Sequence, residues 1–190
     1  MPSVFSHAIA AAAIGSVAIG GRSRAILWWL GAACAVVPDL DVISIAFAIP
    51  YRDMLGHRGL SHSLLFAAVL ASLVTASVRR TTPTSPGAPT LWVFFFLATA
   101  SHGFLDSMTN GGLGVAFFAP FSDTRYFMPW RPILVSPISV HVFFGYRGLR
   151  VMWSELGWVW LPAALVLLAG LALRRGTPRP VVEMRPGRPS

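Results

Sequence analysis

The sequence is poor in the residues on which soluble and secreted proteins rely. It contains no lysine and a single cysteine, Cys34, and only 12% of its 190 residues are charged. Soluble domains carry about 25% charged residues, so the composition excludes an ordinary soluble domain. One cysteine excludes an intrachain disulfide. A Gly-x-Ser-x-Gly motif is also missing, which removes the serine-hydrolase elbow as a source of a nucleophile.

Apolar runs fill the chain instead, and hydrophobic residues make up 55% of it. This composition predicts an all-α, polytopic membrane protein of about five transmembrane helices, with an irregular interfacial loop region near residues 113–156. We expect a single membrane-embedded domain over residues 1–175 and a disordered Pro/Arg-rich tail over 176–190. The runs cover approximately residues 4–20, 25–49 with a break at Pro38, 64–78, 91–100 and 158–173.

The net charge of +8 comes entirely from arginine. The arginines cluster at the ends of apolar runs and in the tail, which indicates membrane orientation, and nucleic acid is not an expected partner. No basic residue precedes the first run, so we expect it to be a retained helix and not a secretory signal.

When the five runs are threaded alternately through a bilayer, all the histidine and aspartate motifs reach one side. Nine arginines lie on the other side, against six beside the motifs. The positive-inside rule therefore predicts that the motifs face the outside of the inner (cytoplasmic) membrane. The motifs are His7, Pro38-Asp39-Leu40-Asp41, His57-Arg58-Gly59-Leu60-Ser61-His62-Ser63 and His102-Gly103-Phe104-Leu105-Asp106.

Four histidines and three aspartates at one membrane depth are a set of metal ligands. Imidazole nitrogens with carboxylate oxygens favour zinc, with manganese or iron as alternatives, and seven candidates allow one to three ions. Paired ions activate water in phosphoester hydrolysis, so a metal-activated water is the expected nucleophile. The predicted ligands are His7, Asp39, Asp41, His57, His62, His102 and Asp106.

Each of these residues also has a structural interpretation. His7 could be an interfacial histidine, and Asp39 and Asp41 could end one helix and cap the next. His57 and His62 could surround an N-cap serine, and His102 with Asp106 could form a hydrogen-bonded pair on one helix face. Arg58 could neutralise a substrate phosphate or anchor at the headgroups, and the residues alone do not rank these roles.

The combined motifs resemble the bacterial membrane-bound, metal-dependent hydrolase family, some of whose members are known as LexA-regulated inner-membrane proteins. The similarity spans roughly residues 1–112 and follows the order of an early His, Pro-Asp-x-Asp, His-Arg-Gly-x-Ser-His-Ser and His-x-x-x-Asp. That family is similar to the zinc-dependent phospholipase C and P1 nuclease group. The resemblance implies a helical protein that hydrolyses phosphoesters with zinc.

We therefore expect a phosphoesterase, similar to a phospholipase, that acts on a membrane lipid or lipid-linked substrate. Asp41 or Asp106 is the expected general base, and Arg58 and Asn110 are expected to contact substrate. One alternative is a metal or proton transporter, which the helix break at Pro38 favours, although no internal repeat is visible. Another is a non-catalytic membrane protein whose polar cluster holds helices together.

Overall fold

A computed structural model describes residues 1–19, 25–82, 86–137 and 139–175. Within these ranges the protein is helical, and the β-pairing consists of two isolated bridges, Thr109–Ile133 and Val115–Tyr126. The predicted basic turn at 20–24, part of the linker at 81–90 and the predicted tail at 176–190 lie outside the described residues. The α-helices are α1 (Val4–Ala18), α2 (Ala25–Val36), α3 (Leu64–Thr81), α4 (Ala88–Ser107), α5 (Val140–Phe143), α6 (Tyr146–Glu155) and α7 (Leu161–Arg175).

Four helical stretches are long and apolar enough to cross a membrane. They are Ala25–Phe47, Leu64–Thr81, Ala88–Ser107 and Tyr146–Leu173, and α1 adds a shorter apolar helix of 15 residues. Together they confirm the prediction of an all-α polytopic protein with about five membrane helices.

The second span changes its helix type where the sequence predicts a break. After α2 the chain continues as a 3₁₀-helix over Val37–Phe47, with Pro38 in its first turn. Proline has no N–H to donate to the α-helical ladder, so this turn is where the regular α-helix ends. The 3₁₀-helix buries Asp39 within the protein and leaves Asp41 partly buried on the other side.

The last span begins earlier than the apolar pattern predicts. Within the region 113–156, for which the sequence predicts an irregular interfacial loop, α6 forms an amphipathic helix that buries Val151 and exposes Leu149 and Trp153. A π-helical turn at Leu156–Trp160 then joins α6 to α7, so amphipathic and apolar segments form one continuous helix. The change from polar to apolar composition near Trp158 therefore marks a change of surroundings and not a helix boundary.

Small residues let α1 lie in the middle of the bundle, against α2, α4 and α7. Ala11, Ala35 and Ala98 form a buried cluster between three of these helices. On α2, a Cβ at Gly31 would lie 2.3 Å from the Phe94 ring, so only glycine permits this approach of α2 to α4. Close packing through small residues is the usual way in which membrane helices associate.

The first and last spans run parallel to each other. Glu155 lies beside Ser3 at one end of α1, and Gly170 lies beside Ser16 at the other. Two parallel spans at the ends of the chain are consistent with five alternating crossings. The beginning of α1, the end of α4 and the 3₁₀-helix consequently meet at the same end of the bundle.

Candidate metal centre

Four buried side chains converge where the second and fourth spans meet the loop after His57. One ligand atom from each of Asp39, His62, His102 and Asp106 lies within 4.8 Å of the others. Asp39 comes from the 3₁₀-helix, His62 from a single 3₁₀ turn at Leu60–His62, and the other two from α4. His102 and Asp106 are four residues apart on α4, so they share one face, as the spacing predicts.

Four of the six distances between these atoms are 3.0–3.9 Å, close to the edge length of a tetrahedral metal site. His62 Nε2 lies 3.0 Å from His102 Nε2 and 3.4 Å from Asp106 Oδ2. Asp39 Oδ1 lies 3.2 Å from His102 Nε2 and 3.9 Å from His62 Nε2. Ligands at the usual zinc distances of about 2.0–2.2 Å are about 3.4 Å apart in a tetrahedron.

Both histidines of this group use their Nδ1 atoms elsewhere. His102 Nδ1 lies 2.7 Å from the Ala35 carbonyl oxygen and so donates to it. His62 Nδ1 lies 3.0 Å from Asp41 Oδ2. A proton held at Nδ1 leaves the lone pair of Nε2 for a ligand, and such carbonyl and carboxylate partners orient metal-binding histidines in known sites.

The carboxylates of the group lack the hydrogen bonds that burial normally requires. Both oxygens of Asp39 and of Asp106 are buried and accept no aligned hydrogen bond from any residue that the structure describes. Burying an unpaired carboxylate is costly, so such groups are normally paired or bind a metal. A cation among the four ligand atoms would satisfy both side chains.

The charge of the cluster also favours binding of a cation. Asp39, Asp41 and Asp106 carry three negative charges, and Arg58 is the one buried guanidinium among the described residues, so carboxylates outnumber guanidinium groups in the cluster. Burial lowers the pKa of His62, but the carboxylates of Asp106 and Asp41 outweigh burial and raise the pKa to about 9. The centre therefore attracts positive charge to His62, and a divalent ion would offset the charge of the carboxylates.

A second group of side chains whose atoms are close enough to hold a metal ion consists of Asp41, His57 and His62. Asp41 Oδ1 lies 2.5 Å from His57 Nδ1, and Asp41 Oδ2 accepts hydrogen bonds from the Arg58 backbone N–H and the Ser61 hydroxyl. With His62 Nδ1 as well, Asp41 contacts four donors or ring nitrogens. This arrangement suits a carboxylate that orients histidines better than one that binds an ion itself.

Arg58, predicted to contact substrate, is fully buried and engaged with the protein. Its Nε lies 2.8 Å from Asp106 Oδ2, and its Nη atoms donate to the Gly111 carbonyl and to Thr109 Oγ1. It also adopts a left-handed backbone conformation with φ of 63°. These contacts make Arg58 the residue that fixes the Asp106 carboxylate.

His7 lies next to the four-residue group without belonging to it. Its ring stacks on His102 with centroids 3.7 Å apart, and its Nε2 lies 3.8 Å from Asp106 Oδ1. Neither ring nitrogen of His7 has a hydrogen-bond partner among the described residues. His7 is therefore available as a ligand on the far side of Asp106.

Glu155 is a buried carboxylate that the sequence motifs do not reveal. It accepts hydrogen bonds from the Ser3 backbone N–H and hydroxyl and from the Ser6 hydroxyl, and so holds the first turn of α1 beside α6. Trp160 Nε1 also donates to Ser6 Oγ. Because Ser6 precedes His7, these bonds position His7 against the centre.

Other polar residues near the centre have structural contacts. Arg125 donates to the carbonyl oxygens of His57, Tyr51 and Asp53, and thereby holds the His57 loop against residues 113–126. Asn110, predicted to contact substrate, is exposed, and its Oδ1 accepts from the Val135 N–H. A single sequence contains no pairing information that could have identified Arg125 or Glu155.

The comparisons with known proteins agree with the membrane architecture. Residues 1–177 match the family described as YdjM inner membrane protein. The chain is also 39% identical over 170 residues to inner membrane protein YbcI of Escherichia coli (strain K12), covering 88% of this chain and 95% of that protein. No solved structure matches the chain. These descriptions confirm the predicted location in the inner membrane and name no enzymatic activity. The chain belongs to the YdjM inner membrane protein family.

Proposed function

We propose that this protein is a divalent-metal-dependent hydrolase that cleaves a phosphoester in a lipid or lipid-linked substrate. The observation that supports this most is the buried group of Asp39, His62, His102 and Asp106, in which the carboxylate oxygens accept no aligned hydrogen bond from the described residues. A helix-bundling cluster would instead satisfy its polar atoms within the protein. Zinc suits the mixed nitrogen and oxygen donors, and manganese or iron are alternatives.

The side chains divide into holding and orienting roles. Asp39, His62, His102 and Asp106 would hold the ion, and His7 would add a ligand if a second ion binds beyond Asp106. Asp41 orients His57 and His62, and Arg58 orients Asp106. The ion would supply the Lewis acidity that makes water a nucleophile near neutral pH.

Of the two carboxylates predicted as general base, Asp106 suits proton transfer better. Its Oδ1 accepts no hydrogen bond from the described residues, whereas both oxygens of Asp41 contact donors or ring nitrogens. A base must reach the proton it abstracts, and an oxygen without a partner is free to do so.

An apolar groove along α4 is a surface on which the hydrocarbon chain of a lipid substrate would lie. The groove has a volume of about 470 Å³, and its walls include Leu97 and Phe104 of α4 together with Leu64 and Phe117. Leu97 and Phe104 lie on the face of α4 opposite His102, so the groove would hold a lipid chain on the outer side of this helix and not among the ligands. Hydrocarbon would fill such a surface within a membrane without cost.

Hydrolysis can be tested with purified protein in lipid nanodiscs, loaded with zinc or manganese. We expect release of phosphate or of a phosphorylated headgroup from a bacterial lipid extract, and loss of this release in Asp39→Asn. Asp53→Asn, in an exposed loop, is the matched control and should retain activity. Metal-loaded protein that releases nothing from phosphomonoesters, phosphodiesters or lipids would contradict hydrolysis but leave the metal centre intact.

Metal transport is the second candidate, because the second span changes from α-helix to 3₁₀-helix next to Asp39. Interrupted helices often carry ion sites in transporters. Zinc flux into protein-containing liposomes, absent in Asp39→Asn, would favour transport over hydrolysis.

A further inference from the structure

A polar cavity, distinct from the apolar groove along α4, lies at the same end of the bundle as the candidate metal centre. It has a volume of about 270 Å³, and Asn110, Arg147 and Arg150 line it together with Leu134, Val135 and Val151. Both arginines belong to the first half of α6 and are exposed. The cavity thus combines two guanidinium groups and an amide with apolar walls.

Hydrogen bonds hold the walls of this cavity in place. Asn110 Oδ1 accepts from the Val135 N–H, and Ser154 Oγ accepts from the Leu134 N–H. These bonds tie residues 134 and 135 to the end of α4 on one side and to α6 on the other. Since its carbonyl oxygen is used, Asn110 keeps the two protons of Nδ2 for another acceptor.

Arg147 and Arg150 differ from two other arginines of this region, Arg125 and Arg131, in their contacts with the protein. Arg125 is engaged by backbone carbonyls, and Arg131 lies over the Phe127 ring at 4.7 Å. Arg147 and Arg150 form no ion pair with any of the described acidic residues. Two uncompensated cations and an amide donor around one cavity are the donor set that a phosphate group requires.

The depth of the cavity matches the lipid headgroups. The helix from Tyr146 to Leu173 has 28 residues. At 1.5 Å per residue it is about 42 Å long, which exceeds the hydrocarbon core of about 30 Å and equals the thickness of a bilayer with its headgroups. Arg147 and Arg150, in the first turns of this helix, therefore lie in the headgroup layer on the side of the metal centre.

The cavity is also connected to the metal centre through the end of α4. Asn110 follows Thr109, whose Oγ1 accepts from Arg58, and Arg58 pairs with Asp106. Asn110 is only four residues beyond Asp106 in the chain. A group bound at Asn110 would lie at the same end of the bundle as the candidate metal ligands.

We propose that Arg147, Arg150 and Asn110 form a binding site for the phosphate of an anionic lipid headgroup. Binding of the lipid headgroup to this site does not depend on hydrolysis. The idea that the site holds a substrate for the metal centre rests on the function proposed above.

The test is lipid binding by native mass spectrometry, with phosphatidylglycerol titrated against a phosphatidylcholine background. The double variant Arg147→Gln/Arg150→Gln should bind phosphatidylglycerol about 25-fold more weakly, because each arginine near the membrane surface contributes about a fivefold effect. Arg79→Gln/Arg80→Gln removes the same charge at the opposite end of the bundle and should leave binding within twofold of the native protein. Asn110→Asp keeps the bond to Val135, adds a negative charge and should also weaken binding.

Equal weakening by both double variants would overturn the proposal, since it would show general attraction of charge to the membrane. Inorganic phosphate that binds with the same dependence on Arg147 and Arg150, without preference for phosphatidylglycerol, would replace the lipid with a soluble anion. Because the readout requires neither metal nor turnover, intact lipid binding without hydrolysis would contradict only the proposed hydrolase. Normal hydrolysis with unaltered lipid binding in Arg147→Gln/Arg150→Gln would contradict only this site.

Discussion

His62 and His102 face each other through their Nε2 atoms at 3.0 Å, while the Nδ1 atom of each ring is engaged by the protein. Two nitrogen lone pairs at this distance repel each other unless a cation lies between them. A proton on one ring removes this repulsion but leaves both oxygens of Asp39 without a hydrogen-bond donor among the described residues. One divalent ion would satisfy all four groups together.

The first prediction concerns Asp39, one of the four residues of the candidate metal centre. Asp39→Asn keeps the shape of the side chain and removes its charge, so we expect metal content to fall from about one ion per chain to below a tenth of that. Mass spectrometry of gently purified protein measures it, with Asp53→Asn as the control. Full metal content in Asp39→Asn would contradict the four-residue site.

Asp41 should behave differently, because its oxygens contact histidines and donors of the His57 loop. For Asp41→Asn we expect metal affinity to fall about 10–100-fold, with full occupancy restored at high metal concentration. Titration against a fluorescent chelator separates affinity from capacity. Permanent loss of capacity would make Asp41 a direct ligand.

Arg58 is predicted to matter for stability more than its exposed counterparts. Arg58→Lys retains the charge but cannot reach Asp106, Gly111 and Thr109 together, and breaking such a buried network costs about 3–5 kcal/mol. Thermal unfolding in detergent measures the loss, and Arg52→Lys in the exposed loop is the control. An unchanged midpoint together with weaker substrate binding would instead support direct contact of Arg58 with substrate.

Gly103 packs against the backbone of the loop that carries His62. A Cβ at this position would lie 2.9 Å from the His62 carbonyl oxygen and 3.3 Å from the Phe117 ring. Gly103→Ala should therefore displace His62, weaken metal binding and cost about 1–3 kcal/mol of stability. Gly157→Ala, where the added Cβ meets nothing within 4 Å, is the matched control and should be neutral in both assays.

The last prediction concerns Glu155, whose carboxylate accepts three hydrogen bonds from Ser3 and Ser6. Glu155→Ala leaves these buried donors unpaired, so we expect a loss of several kcal/mol, at about 1–3 kcal/mol for each donor. Glu155→Gln keeps the size of the side chain and should lose less. Hydrogen–deuterium exchange over the first turn of α1 would report whether α1 detaches from α6. Unchanged stability in both variants would remove the positioning role assigned to Glu155.

The sequence predicts the helical architecture and the shared end of the motifs well, for physical reasons. Apolar runs of bilayer length must be helical in lipid, and alternate crossings leave few ways to place His7, Asp39 and His102. The difference between Asp39 and Asp41 could not be predicted, because two residues on a 3₁₀-helix face different neighbours and no sequence pattern shows which. The burial of Arg58 depends on Thr109 and Gly111, which are 51 and 53 residues away.

The bond between Glu155 and the start of α1 bears on the order in which the protein is made. His7 is the first of the predicted ligands to leave the ribosome, and Glu155, which anchors its helix turn, is synthesised about 150 residues later. The other six predicted ligands can come together while the last span is still missing. The turn that carries His7, however, gains its anchor only when that span enters the bilayer. The place of His7 beside the four-residue group is therefore fixed only at the end of membrane insertion, and a chain interrupted before Glu155 would carry His7 without this anchor.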